Sequence, residues 1–176
     1  MKNRTKAIIG IIVLIAVILL ILVLFNAFNN YKGNGLQYRV FNEDGWSKWY
    51  SNNQIAGKTS KRITAIEIKI DSNNSHIIYN TSSTSDDFSD NDTYDGNTSG
   101  NKKDALYGIK IALTDDLYSN SKIYYRTYNK KDGWLDWTSD YSISGDNEVD
   151  IEKIQIKIID RDDEFKEKQE KSSIGF

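Results

Sequence analysis

The 176-residue chain has no cysteine, no proline and a single histidine. Without cysteine it has no disulfide framework, no catalytic thiol and no residue for a lipoprotein-type lipid anchor. An apolar, strand-like segment follows His76, which favours a surface or strand-edge residue over a general base. The sequence contains no Gly-x-Ser-x-Gly nucleophile motif and singles out no pair of carboxylates. We therefore expect a protein that is not an enzyme and has no cofactor.

The composition also limits the partners. Asn, Lys and Ile are abundant, and together with the missing proline this bias suggests an AT-rich bacterial genome. Beyond residue 25 there are 20 Lys and Arg residues against 25 Asp and Glu residues. This net negative charge excludes nucleic acid, which requires basic patches. The segment 90–96 resembles a calcium loop, but Asn101 stands where a bidentate Glu is needed, so we expect a solvated acidic loop and no metal site.

One long stretch lacks polar side chains: residues 7–25, AIIGIIVLIAVILLILVLF. As a helix it would span roughly 28 Å, close to the ~30 Å of a bilayer's hydrocarbon core. It has no polar face, which a helix packed on a globular core would show. The stretch exceeds the roughly 7–15 apolar residues of a signal peptide, and no small-x-small cleavage pattern follows it. We predict an uncleaved transmembrane helix.

Basic residues orient this helix. Three of them precede it, whereas the next one is Lys32. Positive charge stays on the cytoplasmic side, so residues 1–6 are predicted to be a cytoplasmic stub. The protein is then a single-pass protein of the cell membrane, with a linker (26–35), an extracellular β domain (36–160) and a charged tail (161–176).

The extracellular part repeats itself. The segments 36–70 and 123–158 each contain Gly-Trp-x-x-Trp, and these motifs hold all four tryptophans of the chain. From the first tryptophan onward the two segments align at a constant spacing of 88 residues, which chance does not produce. Half of that spacing predicts a third copy between them. The segment 76–113 has the shared tyrosine, glycine and Ile-x-Ile element, but neither tryptophan. We call 36–70, 76–113 and 123–158 copies one, two and three.

Each copy has the pattern of β structure. Apolar residues alternate with polar or small ones, as in a strand with one buried face, at 65–70, 108–113 and 153–158. The Asp-Gly pairs at 44–45 and 132–133 predict turns. The polar stretch 80–101 is either a mobile loop or a weak edge of copy two.

Three copies of about 40 residues, each with about three strands, predict an all-β, pseudo-threefold domain. We favour a β-prism-like arrangement with one sheet per copy. A β-trefoil is the alternative.

The tryptophans are the candidate functional residues. Residues three apart in a flat strand point to opposite faces, unless a bulge intervenes. Copy two has Phe88 near the first tryptophan position and a polar residue at the second. This favours a core position for Trp46 and Trp134, and a half-exposed position for Trp49 and Trp137.

An exposed tryptophan flanked by polar groups is a platform on which a pyranose ring can stack. The candidate ligand-binding residues are therefore Trp49, Trp137, Tyr50, Asn52, Asp136 and Asp140. Alternatively, both tryptophans of each pair are packing residues, with the second one against Arg39 or Arg126 in a cation–π contact.

The repeated pattern is Tyr-x-x-aromatic, Gly-Trp-x-x-Trp, Ala/Ser-Gly and Ile-x-Ile-x-Ile/Leu. It resembles the clostridial hydrophobic repeat with a conserved tryptophan, the ChW family. The likeness covers copies one and three well and copy two loosely. Phe41 and Tyr128 depart from the family, which usually has His there. The resemblance implies a surface protein of a Gram-positive anaerobe that adheres or binds polysaccharide and cell-wall material.

Two functions are consistent with these features. The first is a membrane-anchored module that recognises glycan or cell-wall polysaccharide through its surface tryptophans. The second is a structural or adhesion protein of the cell surface that docks a protein partner through an apolar patch or a free strand edge, without binding glycan.

Overall fold

The computed structural model describes residues 13–24, 35–72, 74–83, 88–146 and 148–161. Helix α1 covers residues 13–24, which is the described part of the predicted membrane helix. Within the described ranges, no helix has both the length and the apolar character needed to cross a bilayer. Of the predicted linker and tail, the described residues include only Gly35 and Arg161, and the rest of both segments lies outside them.

Antiparallel β-sheet dominates the described chain, which confirms the predicted all-β class. A short helix, α2 (Asp115–Asn120), lies between the ninth and tenth strands. The strands are β1 (Gln37–Asn42), β2 (Gly45–Trp46), β3 (Tyr50–Ser51), β4 (Ile55–Gly57), β5 (Ala65–Lys69), β6 (Ile77–Ser82), β7 (Thr93–Tyr94), β8 (Ser99–Gly100), β9 (Gly108–Leu113), β10 (Ser121–Asn129), β11 (Gly133–Trp134), β12 (Thr138–Ser139), β13 (Ser144–Gly145) and β14 (Ile151–Asp160).

The described strands form three sheets, and each sheet is built on the two long strands of one copy. These long strands pair antiparallel, β1 with β5, β6 with β9 and β10 with β14. The second strand of each pair contains the Ile-x-Ile element, so the strands predicted from alternation at these three places are confirmed.

A short strand of each copy leaves its own sheet and completes the sheet of another copy. Copy one gives β4 to β14 of copy three, copy two gives β8 to β5 of copy one, and copy three gives β13 to β9 of copy two. The exchange therefore runs in one direction around a closed ring. It joins the first copy directly to the last.

Each exchanged strand ends on a glycine, Gly57, Gly100 or Gly145, with φ of +100°, +96° and +140°. L-residues with a side chain rarely adopt such angles. A Cβ at these positions would lie 2.2, 2.5 and 2.0 Å from a backbone carbonyl oxygen of the neighbouring copy. The repeated glycine is needed because the exchanged strand packs directly against the backbone of the strand that receives it.

The sheets enclose one apolar core, and each copy contributes a fully buried tyrosine to it, Tyr38, Tyr79 or Tyr125. Isoleucines of β5, β9 and β14 fill much of the remaining space. Each buried methylene contributes about 0.8 kcal/mol, so this shared interior replaces the disulfides that the chain lacks.

The three tyrosine hydroxyls follow the same ring as the exchanged strands. They accept hydrogen bonds from the backbone N–H groups of isoleucines in the neighbouring copy, from Ile156 to Tyr38 (3.2 Å), from Ile68 to Tyr79 (3.2 Å) and from Ile111 to Tyr125 (3.1 Å). Each hydroxyl also donates to a loop carbonyl of its own copy, that of Gln54, Asn97 or Ser142. A buried phenol thus joins two copies at each of the three seams.

Copy two follows the same plan with weaker edges. Of the two interpretations of 80–101, the described residues agree with the weak edge, since β7 is a two-residue strand at one edge of its sheet. Phe88 forms an isolated bridge with Ser82, and this bridge corresponds to the pairing of Trp46 with Phe41. The aromatic expected near the first tryptophan position is therefore where the sequence placed it. Residues 84–87 lie outside the described residues.

Candidate functional site

The arm of copy one that holds both tryptophans bulges between β2 and β3. Trp46 pairs with Phe41, and Tyr50 pairs with Tyr38, so three residues of this arm face two residues of β1. An extra residue of this kind re-aims the side chains that follow it. The second tryptophan is therefore brought to the same side of the sheet as the first. In copy three, β11 and β12 pair with β10 in the same way.

The guanidinium of Arg39 lies between the two indoles of copy one. Its Cζ atom is 4.6 Å from the ring centroid of Trp46 and 4.6 Å from that of Trp49. The buried carboxylate of Glu67 holds this guanidinium, with Oε2 2.6 Å from Nε and 2.6 Å from Nη2. Lys69 lies on Trp49, with Nζ 4.2 Å from the ring centroid. We call these five residues the first ladder.

Copy three has a matching second ladder. The Cζ atom of Arg126 is 4.7 Å from the Trp134 centroid and 4.6 Å from the Trp137 centroid. The side-chain oxygen of Gln155, which replaces the carboxylate, accepts from Nε at 3.0 Å and from Nη2 at 2.9 Å. Lys157 Nζ lies 4.0 Å from the Trp137 centroid. Planar guanidinium groups stack on aromatic faces, so each arginine organises two indoles at once.

These contacts correct the expected positions of the tryptophans. Trp46 and Trp134 do not belong to the core cluster, and both are partly exposed. The core assignment was wrong because Trp46 and Trp134 pair with Phe41 and Tyr128 on the outer faces of β1 and β10, and the bulge brings the second tryptophan to that face as well. Trp49 and Trp137 are partly exposed as expected, and they make the cation–π contacts that the alternative interpretation named.

Tyr50 and Asn52 are engaged within the fold. The Tyr50 ring packs against the core, 6.5 Å from the Tyr38 ring. Asn52 Oδ1 accepts a hydrogen bond from the backbone N–H of Ile158 at 2.8 Å, and its Nδ2 donates to the Ile158 carbonyl at 3.4 Å. Asn52 therefore holds the loop of copy one against β14.

The two acidic candidates lie in copy three. Asp136 is exposed. Asp140 has φ of 53°, and its carboxylate lies 3.1 Å from Lys122 Nζ. The hydrogen bond that Lys122 donates to the Asp140 carboxylate raises the pKa of Lys122. The six candidates thus divide between the arms of copies one and three.

Four ladder residues were not among the six candidates, although the sequence contained a signal for them. Glu67 and Lys69 occupy the alternate positions of the first Ile-x-Ile strand, as Gln155 and Lys157 do in the last. With isoleucines directed inward, the period of two places these residues on the outer face beside the tryptophans.

Copy two builds a different cluster at the equivalent place. Lys110 Nζ lies 4.1 Å from the Phe88 centroid and 5.7 Å from the Tyr141 centroid. Asp92 Oδ1 accepts hydrogen bonds from Asn80 Nδ2, at 3.2 Å, and from the Tyr141 hydroxyl. Burial, and to a lesser extent the hydrogen bond that Tyr141 donates to Asp92, raises the pKa of Tyr141 to about 12. This cluster ties copy two to copy three through polar contacts.

His76 and the segment 90–96 are the remaining residues that the sequence singled out. His76 is exposed as predicted, and its Nδ1 lies 2.6 Å from an Asp95 carboxylate oxygen. In the ranges that the structure describes, no group of three His, Asp or Glu side chains is arranged to hold a metal ion.

Comparisons with known proteins identify no relative: no family model matches the chain, and no curated protein or solved structure matches it. The likeness to ChW repeats stays a prediction.

Proposed function

We propose that this chain is a membrane-anchored extracellular binding module, similar to ChW repeats, that recognises glycan or cell-wall polysaccharide through Trp49 and Trp137. One observation carries the proposal: each of these partly exposed indoles stacks on an arginine and is covered by a lysine, Lys69 or Lys157. The arginine fixes the indole, so little side-chain entropy remains to be lost when a ligand binds.

The lysines indicate which sugars suit this surface. A lysine head on a flexible stem can move aside, which frees the indole for the C–H face of a pyranose ring. The displaced ammonium then lies next to the ligand and favours an acidic group on the polymer. Two equivalent ladders on two different sheets would also let one polymer chain engage the module twice, which raises its apparent affinity.

The fold that we propose for 36–160 is a pseudo-threefold, β-prism-like domain. One sheet per copy, the equivalent long strand pairs and the cyclic exchange of short strands all support it. The alternative β-trefoil would place strands of all three copies around one barrel, whereas here each long pair belongs to its own sheet.

We further propose that 7–25 anchors the module with its C-terminal domain outside the cell, as the apolar run and the flanking charges support. The absence of native cysteine allows a direct test with the variants Ser60→Cys and Asn3→Cys in cells. A membrane-impermeant maleimide should label Cys at 60 and not at 3. Labelling of 3 alone would place the domain inside.

The glycan proposal is tested with the full chain in a zwitterionic detergent, because glycosidic detergents carry sugar head groups. Sedimentation with purified cell-wall sacculi and with acidic and neutral insoluble polysaccharides measures binding. We expect sedimentation with an acid-bearing polymer, and a loss of about tenfold or more in affinity for the double variant Trp49→Ala, Trp137→Ala.

The exposed aromatic Tyr118 offers a matched control, since Tyr118→Ala removes an aromatic ring that belongs to neither ladder. Unchanged unfolding midpoints must accompany the loss of binding. Equal sedimentation of the wild type and the double variant, or sedimentation with no polymer, would contradict the proposal.

The second candidate, docking of a protein partner without glycan binding, is favoured by two exposed isoleucines. Ile55 and Ile143 occupy equivalent positions 88 residues apart and are 45% and 47% exposed. Apolar surface at repeated positions suits a partner that contacts two copies. Cross-linking in cells that is lost in Ile55→Asn, Ile143→Asn and retained in the tryptophan variant would support this candidate over the first.

A further inference from the structure

Copy two contains a cavity of about 520 Å³, at the place where it departs most from the other copies. Its lining includes the Phe88 ring, the acid Asp90, the hydroxyl residues Thr93 and Thr98, and Asn101. The volume falls within the roughly 300–1,000 Å³ of small-molecule sites. The cavity lies apart from Trp49 and Trp137.

Two positions that line the cavity have smaller side chains in copy two than in copy one. Thr93 pairs with Tyr79 as Tyr50 pairs with Tyr38, so a threonine replaces a tyrosine that packs against the core in copy one. Thr98 comes directly before the exchanged strand Ser99–Gly100, and the equivalent residue of copy one, directly before Ala56 and Gly57, is Ile55. Two large side chains of copy one are therefore two small hydroxyl residues in copy two. Copy three shares the first change, as Thr138, and has Ile143 at the second position, so only Thr98 sets copy two apart from both other copies.

The same region holds buried oxygens that still have capacity for hydrogen bonds. Asn80 Oδ1 and Ser82 Oγ are buried and have no hydrogen-bond partner within the described part of the chain. Both are next to lining residues, because Asn80 Nδ2 donates to the Ser89 carbonyl at 2.7 Å and Ser82 bridges with Phe88. Neither residue is part of the lining, so these oxygens provide polar capacity beside the cavity and not within it.

We infer that copy two is a separate binding site for one or two rings of a neutral sugar. A ring face stacks on Phe88, and hydroxyl groups of the sugar exchange hydrogen bonds with the threonines, Asn101 and Asp90. A mostly polar wall with one aromatic face suits a polyol and disfavours an apolar ligand, which would leave these groups unpaired. This inference goes beyond the proposed function and does not depend on the tryptophan ladders.

A hydrogen-bond path connects the cavity to the first ladder. Thr98 Oγ1 donates to Glu67 Oε1 at 2.7 Å, and the other oxygen of this carboxylate holds Arg39 between its indoles. A sugar that engages Thr98 perturbs this carboxylate, so its binding changes the fluorescence of the first ladder. Trp46→Phe, Trp49→Phe removes that signal and retains the cavity.

The test uses the full chain in a zwitterionic detergent. The probes are the methyl glycosides of glucose, galactose, mannose and N-acetylglucosamine, with cellobiose and glucuronic acid, at millimolar concentration. Saturation-transfer NMR and calorimetry measure binding. We expect at least one neutral probe to bind. Thr93→Tyr, which restores the side chain of copy one, should weaken binding by about tenfold or more, and Thr98→Ile should do the same.

Two controls separate this site from the tryptophan platforms. Thr138→Tyr makes the same change at the equivalent register position of copy three, and the double variant Trp49→Ala, Trp137→Ala removes the platforms. Both should bind the neutral probe like the wild type. If no neutral probe binds, or if binding survives in folded Thr93→Tyr and Thr98→Ile, the inference is overturned. Loss only in the tryptophan variant would overturn it and support the proposed function instead.

Discussion

The hydroxyl of Tyr38 accepts a hydrogen bond from the backbone N–H of Ile156, 118 positions along the chain, at 3.2 Å. The same bond occurs between Tyr79 and Ile68 and between Tyr125 and Ile111. One buried phenol per copy thus connects that copy to the neighbour that receives its exchanged strand. We expect each of the three hydroxyls to make a similar contribution to the stability of the domain.

Removing one of these hydroxyls should destabilise the fold. Tyr38→Phe, Tyr79→Phe or Tyr125→Phe leaves a buried backbone N–H without its acceptor, which costs about 1–3 kcal/mol. Urea unfolding of the full chain, followed by tryptophan fluorescence, measures this cost. Tyr94→Phe is the control, because Tyr94 is exposed and should change stability by less than about 0.5 kcal/mol. Equal effects at Tyr94 and Tyr38 would contradict the seam interpretation.

The same phenols should make the protein sensitive to alkali. Burial raises the pKa of Tyr38, Tyr79 and Tyr125 above the usual 10.0, although the hydrogen bond from an isoleucine N–H lowers it in part. The folded state therefore holds these protons more tightly than the unfolded state. Their contribution is fully present below pH 10 and is lost progressively as the pH rises above it.

Unfolding free energies measured across this range should stay level below pH 10 and then fall. Absorbance of phenolate should show that most of the 11 tyrosines ionise before the transition and that the three buried ones ionise with it. The Tyr125→Phe variant should lose stability less steeply above pH 10. A wild type whose tyrosines all titrate together near pH 10 without unfolding would rule this out.

The exchanged glycines should tolerate alanine less well than other glycines with positive φ. In Gly145→Ala the new methyl group would lie 2.0 Å from the Tyr107 carbonyl oxygen, and in Gly57→Ala 2.2 Å from that of Glu152. Because backbone atoms must move, we expect a cost of more than about 3 kcal/mol, or failure to fold.

Gly45→Ala and Gly133→Ala are the matched controls, with φ of +92° and +79° and no atom within 4 Å of the new methyl group. They carry backbone strain alone, about 1–3 kcal/mol. Thermal and urea unfolding of the four variants separate the two causes. If all four lost the same stability, close approach of the neighbouring copy would play no part.

The arginines of the ladders should not be replaceable by lysine. Arg39→Lys or Arg126→Lys keeps the charge but loses the planar group that contacts two indoles, and should cost about 1–2 kcal/mol. Near-UV circular dichroism should show weaker tryptophan bands in both variants. Exposed Arg62 provides the control, and Arg62→Lys should leave both measurements unchanged. Unaltered tryptophan bands in Arg39→Lys would show that the stack does not order the indoles.

Alternation made much of the fold predictable. Strands β5, β9 and β14 have five to ten residues, and the period of two identifies them and their buried faces. The exchanged strands β8 and β13 have two residues each, too few for any period. Their partners lie in another copy, so only tertiary packing defines them. Helix α2 was missed for a related reason, since among its six residues only Leu117 packs on the core.

The candidate site was predictable in part. Repetition identified the four tryptophans, and the arginine contact was one of the two interpretations considered. What the sequence could not supply was the bulge between β2 and β3, because it depends on the pairing register and not on residue type. Trp46 lies outside the core because it pairs with Phe41 on the outer face of β1, and the single extra residue brings Trp49 to that face as well. The cavity of copy two was not predicted. The sequence of copy two lacks the repeated tryptophans, which suggested only that the motif had been lost, whereas its smaller side chains line a cavity.

The pairing of β4 with β14 determines when the fold can be completed during synthesis. When the chain emerges with its N-terminus first, residues 55–57 are available long before residues 153–155, which they pair with. Throughout that interval β4 of copy one has no strand to pair with, so copy one cannot complete its folding alone. The native ring can close only after the final strand has arrived, and a chain stopped before Ile151 would leave its earliest-made copy unfinished.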